Sequence, residues 1–326
     1  MITAKNYAAQ CEKEITKIAG TLGVIGDWES ANNLFLSHIK DAVHFALPDG
    51  GKILDDNKKG IKGEKIRLPF NKITVEYYVP QRSDAEYIGE GTHKSSKRLI
   101  VARELHQKQI EVEFKKFKHL ISDPEDVWIV VTAASYIDDL GLWVPESFGW
   151  ILPSDWDQTS GEVGFDMRND ADKDYIKLSG LPISVCKNML DQAFKGQENE
   201  QARYKAALRD IGSELLALLE LCEALSCSNI KHEVMEYYDA KMNQRRINDG
   251  KVPLYETRTL WLDAPGTIIK GNNDGLGGTH RSPRQHLRRG HIRRLQNDKK
   301  VWVNSAIVGA KNGGVICSNY AIREAA

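Results

Sequence analysis

Apolar and polar residues alternate along this chain with two different periods, and the change from one to the other marks where helices should give way to strands. In the first fifty residues the apolar positions fall mostly three and four apart, at Ile15, Ile18 and Leu22 and then at Leu34, Phe35, Ile39, Val43 and Leu47. That spacing predicts two amphipathic helices, over residues 4 to 19 and 29 to 46. The stretch KILDDNKKGIKGEK, rich in Gly, Lys and Asp, reads as an exposed loop. β-Branched and aromatic residues then dominate RLPFNKITVEYYVP. Strand candidates follow as KRLIVARE at 97 to 104, QIEVEFKKF at 109 to 117, DVWIVVTAA at 126 to 134 and LWVPESFGWIL at 142 to 152. In QIEVEFKKF, Ile110, Val112 and Phe114 alternate with Glu111, Glu113 and Lys115, which predicts an antiparallel strand with one wet face.

The second half returns to the helical period. Asp155 to Asp174 is acidic and bears glycine, the composition of a long surface loop, and Pro182 is expected to open a helical region. From Leu208 onward, Ile211, Leu215, Leu218, Cys222 and Leu225 recur at steps of three and four. This run is shorter than a stable zipper needs, so it predicts a helix packed on its own core. TRTLWLD reads as a strand, GNNDGLGG at 271 to 278 as a connector, and VWVNSAIVG as the partner strand of a hairpin turning near Asn297 and Asp298. The expected fold is therefore α+β: N-terminal helices, a central antiparallel sheet, a helical segment and a C-terminal basic β-hairpin. The expected division is an α+β partner-recognition domain at 1–180, followed at 181–326 by the helical segment and the basic module.

Composition narrows the class. With 326 residues and 41% hydrophobic content the chain can bury a substantial core. No apolar run reaches the roughly 20 residues that span a bilayer, and the start lacks a secretory signal, so no membrane partner and a cytoplasmic location in the host cell are expected. The five cysteines are scattered and odd in number, as expected of reduced, buried thiols. GEGTHKSSK at 89 to 97 lacks the glycine spacing of a phosphate-binding loop and reads as a polar connection.

Charge is where the chain becomes specific. The whole sequence balances 45 basic against 45 acidic side chains, yet between Arg281 and Lys300 eight Lys or Arg face one acid, Asp298. Six of the eight are Arg, whose planar fork of donors matches phosphate, so the expected partner is RNA or a ribonucleoprotein. Arg281, Arg284, Arg293, Arg294 and Lys299 would form the binding track, with Arg288 and Arg289 holding the phosphate at its centre. Trp302 would either stack on a base or pack on the core. His280, His286 and His291 lie six and five apart with no Cys or carboxylate cluster beside them, a poor pattern for zinc, and no metal or cofactor is expected. His286 and His291 are the acid and base candidates for metal-independent RNA cleavage. Residues five apart on a regular strand face opposite sides, so this pair converges only if Gly290 supplies a bulge. Binding without catalysis explains the same residues with fewer assumptions.

ALSCSNI at 224 to 230, MNQRRINDGKVPLYETRTLWL at 242 to 262, and HRSPRQHLRRGHIRRL with VWVNSAIVG together resemble a family of phage and prophage proteins. LPFNKITVEY and KRLIVARE are similar to strand segments of the same family. The RxHxRRGH core, Arg284, His286, Arg288, Arg289, Gly290 and His291, also resembles the carboxy-terminal module of a type V anti-CRISPR protein. That inhibitor lowers production of an effector nuclease by promoting loss of its messenger RNA during translation. Its pattern carries an aromatic after the second His, where this chain has Ile292. The resemblance implies an anti-defence accessory protein that binds RNA through its C-terminal module and lowers expression of a target. The partners it implies are a translating ribosome with its nascent chain, or a host defence protein or its mRNA. An adaptor that recruits a host nuclease and an inhibitor that binds a host defence complex are the alternatives.

Overall fold

The computed structural model describes residues 6–22, 25–53, 67–80, 94–115, 127–153, 164–166, 177–179, 181–188, 191, 195–196, 211–236, 238–251, 253–262, 284–288, 291–295, 299–303, 306–308 and 310–316. Helices α1 (Tyr7–Leu22) and α2 (Ile25–Leu34) open the chain, followed by a 3-10 turn at Leu36–His38. The second expected helix stops there. Residues Val43–Ala46 form strand β1 instead, because His44, Phe45 and Ala46 are buried between two neighbouring strands. Strands β2 (Lys72–Tyr78), β3 (Ser95–His106), β4 (Val127–Ile137), β5 (Leu142–Pro145) and β6 (Phe148–Pro153) occupy four of the five strand candidates of the first half.

The fifth candidate, QIEVEFKKF, is helix α3 (Gln107–Glu113). Gln109 accepts a hydrogen bond from the backbone N–H of His106 through its side-chain oxygen at 3.0 Å, fixing the start of the helix. Ile110 and Phe114, four apart, share the buried face, whereas Val112 is 71% exposed. Alternation over five residues fits either period at its two end positions; the middle one distinguishes them.

Strand order in the main sheet is β10-β11-β1-β2-β3-β4-β6-β9, with β5 pairing the far end of β4; here β9 is Leu181–Ser184, β10 Ile230–Glu236 and β11 Thr257–Leu262. The sheet is mixed, not antiparallel, because β1 runs parallel to both β2 and β11. Strands from both sides of residue 180 lie in it. Leu181–Ser184, expected to begin a helical region, pairs antiparallel with β6. The acidic loop expected at 155 to 174 contains strand β7 (Gly164–Asp166), which pairs with β8 (Lys177–Ser179).

Both faces of the sheet are covered. Helix α4 (Gly212–Leu225) lays Leu215, Leu218, Leu219 and Cys222 on Phe45, Val75, Ile100, Val131 and Trp150. Helix α1 and the 3-10 turn lay Tyr7, Cys11, Ile15 and Leu36 on Leu99, Val101 and Trp143 of the opposite face, and α3 adds Ile110 and Phe114 beside Val130. Burial on both sides explains why residues 127–131 of DVWIVVTAA are a continuous apolar run. At Gly149 a side chain has no room: a Cβ would lie 2.6 Å from the Val131 carbonyl oxygen. Helix α5 (Ala240–Asn248) connects β10 to β11 and buries no residue.

Candidate nucleic-acid interface

The basic segment folds as an antiparallel hairpin. Strand β13 (His291–Arg294) pairs with β14 (Lys300–Val303), setting His291 opposite Val303, Ile292 opposite Trp302 and Arg294 opposite Lys300. The Leu295 N–H donates to the Lys299 carbonyl at 2.7 Å, and the turn expected near Asn297 and Asp298 lies outside the described residues. The preceding strand β12 (Arg284–Arg288) pairs with β15 (Ala306–Val308), His286 opposite Val308 and Arg288 opposite Ala306. Strand β16 (Ala310–Ile316) adds to β12 in parallel. The bulge at Gly290 that would bring His286 and His291 together lies outside the described residues.

What fixes the hairpin to the body is the turn after α4, the ALSCSNI segment. Asn229 Nδ2 donates to the Trp302 carbonyl at 2.8 Å, and Asn229 Oδ1 accepts from the Trp302 N–H at 2.7 Å. Ser228 reinforces this: its backbone N–H donates to the Lys300 carbonyl at 3.1 Å and its hydroxyl to the same oxygen at 3.3 Å. Trp302 is 5% exposed and packs with Ala224, Cys227 and Ile230, with Ile292 and Leu260 against the same cluster. Its ring is thus a core anchor and is not offered to a base. Asn229 carried no signal in the sequence that set it apart from any other polar residue after a helix.

Arg293 and Lys299 are exposed, and neither has an ion-pair partner among the described residues. Three arginines of the body are paired with carboxylates. Arg98 Nε donates to Glu214 Oε1 at 2.7 Å, Arg103 Nη2 to Glu113 Oε2 at 2.6 Å, and Arg258 pairs with Glu256 at 3.2 Å. Of 284–288, His291 and Arg294 the backbone is described; Arg281, Arg289, Gly290 and the connector at 271–278 lie outside the described residues.

No family model, curated protein or solved structure matches this chain.

Other chemistry is muted among the described residues. No group of His, Cys, Asp or Glu there could hold a metal ion. Burial pushes the thiols of Cys186 and Cys222 up to about 12 and that of Cys227 up to about 11, so all three stay protonated at neutral pH. A cavity of about 320 Å³ opens beside His38, Lys72 and Arg103. Arg103 is neutralised there by Glu113, and burial together with Arg103 and Lys72 lowers His38 to about 4, leaving an uncharged imidazole. Among the described residues no helix is long and apolar enough to cross a membrane.

Proposed function

We propose that this protein is a phage or prophage anti-defence accessory factor that binds RNA through its C-terminal hairpin and thereby lowers expression of a target. The observation that carries the binding step is a two-stranded basic ribbon anchored on one side by Trp302 and Asn229, with Arg293 and Lys299 exposed and lacking carboxylate partners among the described residues. A ribbon serving only solubility would need no such anchor. The target-lowering step rests on the likeness of the RxHxRRGH module, and the N-terminal helices and sheet would choose the partner.

Phosphate binding without cleavage needs fewer assumptions, because residues five apart on a regular strand face opposite sides and His286 and His291 would converge only through a bulge at Gly290. The protein then acts as an adaptor whose bound RNA is degraded by a host nuclease. Filter binding across a salt series tests the first step. If about five cations meet phosphates, log affinity falls with log salt at a slope near −3.5 on a single strand, roughly 0.7 per contact. Arg288→Ala with Arg289→Ala should flatten that slope by about 1.4. Affinity indifferent to salt rejects phosphate binding. Incubating the purified protein with RNA in the absence of host extract tests the second step: metal-independent cleavage, lost in both His286→Gln and His291→Gln, would restore the enzymatic reading.

A further inference from the structure

We propose that the cavity beside the 3-10 turn binds a small uncharged polyol, a monosaccharide, at a site separate from the hairpin and independent of its RNA reading. Strands β2 and β3, helix α3 and the 3-10 turn wall it, contributing Lys72, Arg103, Gln109, Glu113 and His38. Lys72 and Arg103 stand opposite each other in the β2–β3 ladder. Arg103 is 3% exposed, yet its Nε finds no hydrogen-bond partner among the described residues, and neither does the buried Nδ1 of His38. These two atoms need opposite partners. The guanidinium stays charged, so Arg103 Nε can only donate. His38 Nε2 lies 2.9 Å from the Asn33 carbonyl oxygen, which can only accept. The ring proton therefore sits on Nε2, and Nδ1 of the uncharged imidazole is an acceptor. Buried polar groups are nearly all hydrogen-bonded in folded proteins, so the pair calls for a partner that accepts at one point and donates at another.

Charge disfavours an ion of either sign. Arg103 Nη2 donates to Glu113 Oε2 at 2.6 Å, and Lys72 Nζ lies 3.7 Å from Asp41 Oδ2. Glu104, on the same wall, faces Arg67 at 3.7 Å. With these charges balanced, no excess cation draws an anion, and the His38 lone pair would oppose one. A cation offers no acceptor to the Arg103 Nε–H. A hydroxyl both donates and accepts, so adjacent hydroxyls of a sugar satisfy Arg103 Nε and His38 Nδ1 together. Gln109 Oε1 already accepts from the His106 N–H at 3.0 Å, which leaves its amide nitrogen to donate to a further hydroxyl. The cavity of about 320 Å³ is at the low end of small-molecule sites, roughly 300–1,000 Å³, and suits a single sugar ring. Leu105 is the one apolar residue of its lining, so no flat apolar slot receives a base or another aromatic ring.

The test is NMR of the full chain, its histidine rings labelled with nitrogen-15, titrated separately with D-glucose, D-ribose and inorganic phosphate. His38→Phe identifies the His38 signals by their loss. The Nδ1 signal should move saturably toward the hydrogen-bonded range with at least one sugar and stay in place with phosphate. Half-saturation on the order of millimolar is expected for a ligand of about a dozen heavy atoms. Arg103→Lys keeps a charge facing Glu113 but removes Nε, and should weaken sugar binding about tenfold. A shift with phosphate alone makes this an anion site and overturns the polyol assignment. Silence with both sugars overturns it as well, as does a folded Arg103→Lys variant that binds like the parent. The parent titration needs no core substitution, so it decides the proposal even where Arg103→Lys fails to fold.

Discussion

Asn229 gives Trp302 the donor and the acceptor that a neighbouring strand would otherwise supply, and the same device recurs in this protein. Asn6 pairs with the backbone of Tyr255, accepting from its N–H at 2.7 Å and donating to its carbonyl at 3.2 Å. Asn243 pairs likewise with Leu254, at 2.8 and 2.9 Å. Each holds a segment whose backbone would otherwise lack partners. Asn229→Ala should lose both bonds and about 1–3 kcal/mol of hairpin docking. Hydrogen exchange should then quicken at residues 291–303 and stay slow in β3 and β4; uniform protection would show that Trp302 alone holds the hairpin. His44 gives a residue-scale prediction of another kind. It is 5% exposed, its Nδ1 lies 2.6 Å from the Thr74 hydroxyl, and its ring stacks on Tyr255 at 4.3 Å. Burial lowers its pKa from 6.5 to about 4. The unfolded chain therefore takes up the proton first, so this contribution to stability is complete above about 6.5 and is lost as pH falls toward 4. The loss from His44 is on the order of 3 kcal/mol, and His38, lowered to about 4 chiefly by burial, adds in the same direction. Denaturation midpoints at pH 7 and 4.5 should differ less in His44→Gln than in the parent. An unchanged difference would mean that the imidazole is solvated.

Helix α3 shows how an element can satisfy the pattern of another. Ile110 and Phe114 are buried and Val112 projects into solvent, so substitutions should separate by helical face and not by alternation. Ile110→Ala should cost about 2–5 kcal/mol, whereas Val112→Lys should stay within about 0.5. Equal sensitivity at the two positions would indicate a strand. Helix α4 carries a different constraint. Its buried Glu214 accepts from Arg98 at 2.7 Å and from the Ser213 hydroxyl at 3.0 Å, tying the helix to β3 through an ion pair. Glu214→Ala leaves the Arg98 guanidinium without its carboxylate in a largely desolvated place, and chemical denaturation should register a loss of about 3–5 kcal/mol. A loss below about 1 kcal/mol would mean that water reaches Arg98 freely.

At the scale of the whole molecule, strands from both expected domains share one sheet, with β1 between β2 and β11. The hairpin, by contrast, touches the body through a small cluster: Ala224, Cys227 and Ile230 around Trp302. Deleting everything after Asp263 should keep β11 and the cooperative unfolding of the sheet, uncover that cluster and lower stability, and abolish RNA binding. Loss of all cooperative unfolding in circular dichroism would show that the hairpin completes the fold and does not merely dock on it. Retention of RNA binding would move the interface elsewhere, the exposed Arg245 of α5 being the next place to test.

Local pattern determined the elements whose apolar runs are long or rich in β-branched residues. Helix α4 and strands β2, β3 and β4 were legible because apolar spacing, residue type and length agree there. The concentration of cations between Arg281 and Lys300 was equally legible, since charge is additive along the chain and needs no fold to be counted. Only the tertiary structure decided that Val43–Ala46 is a strand, that QIEVEFKKF is a helix and that the sheet is mixed. In the first two cases short apolar spacings fit two periods, and the neighbour against which they pack selects one; strand direction leaves no mark on the apolar pattern. It also decided the fate of Trp302, because whether an aromatic in a basic strand meets a base or a core depends on what stands behind it. Here that is Asn229 and the end of α4, about seventy residues away in sequence, a distance over which no local pattern carries information.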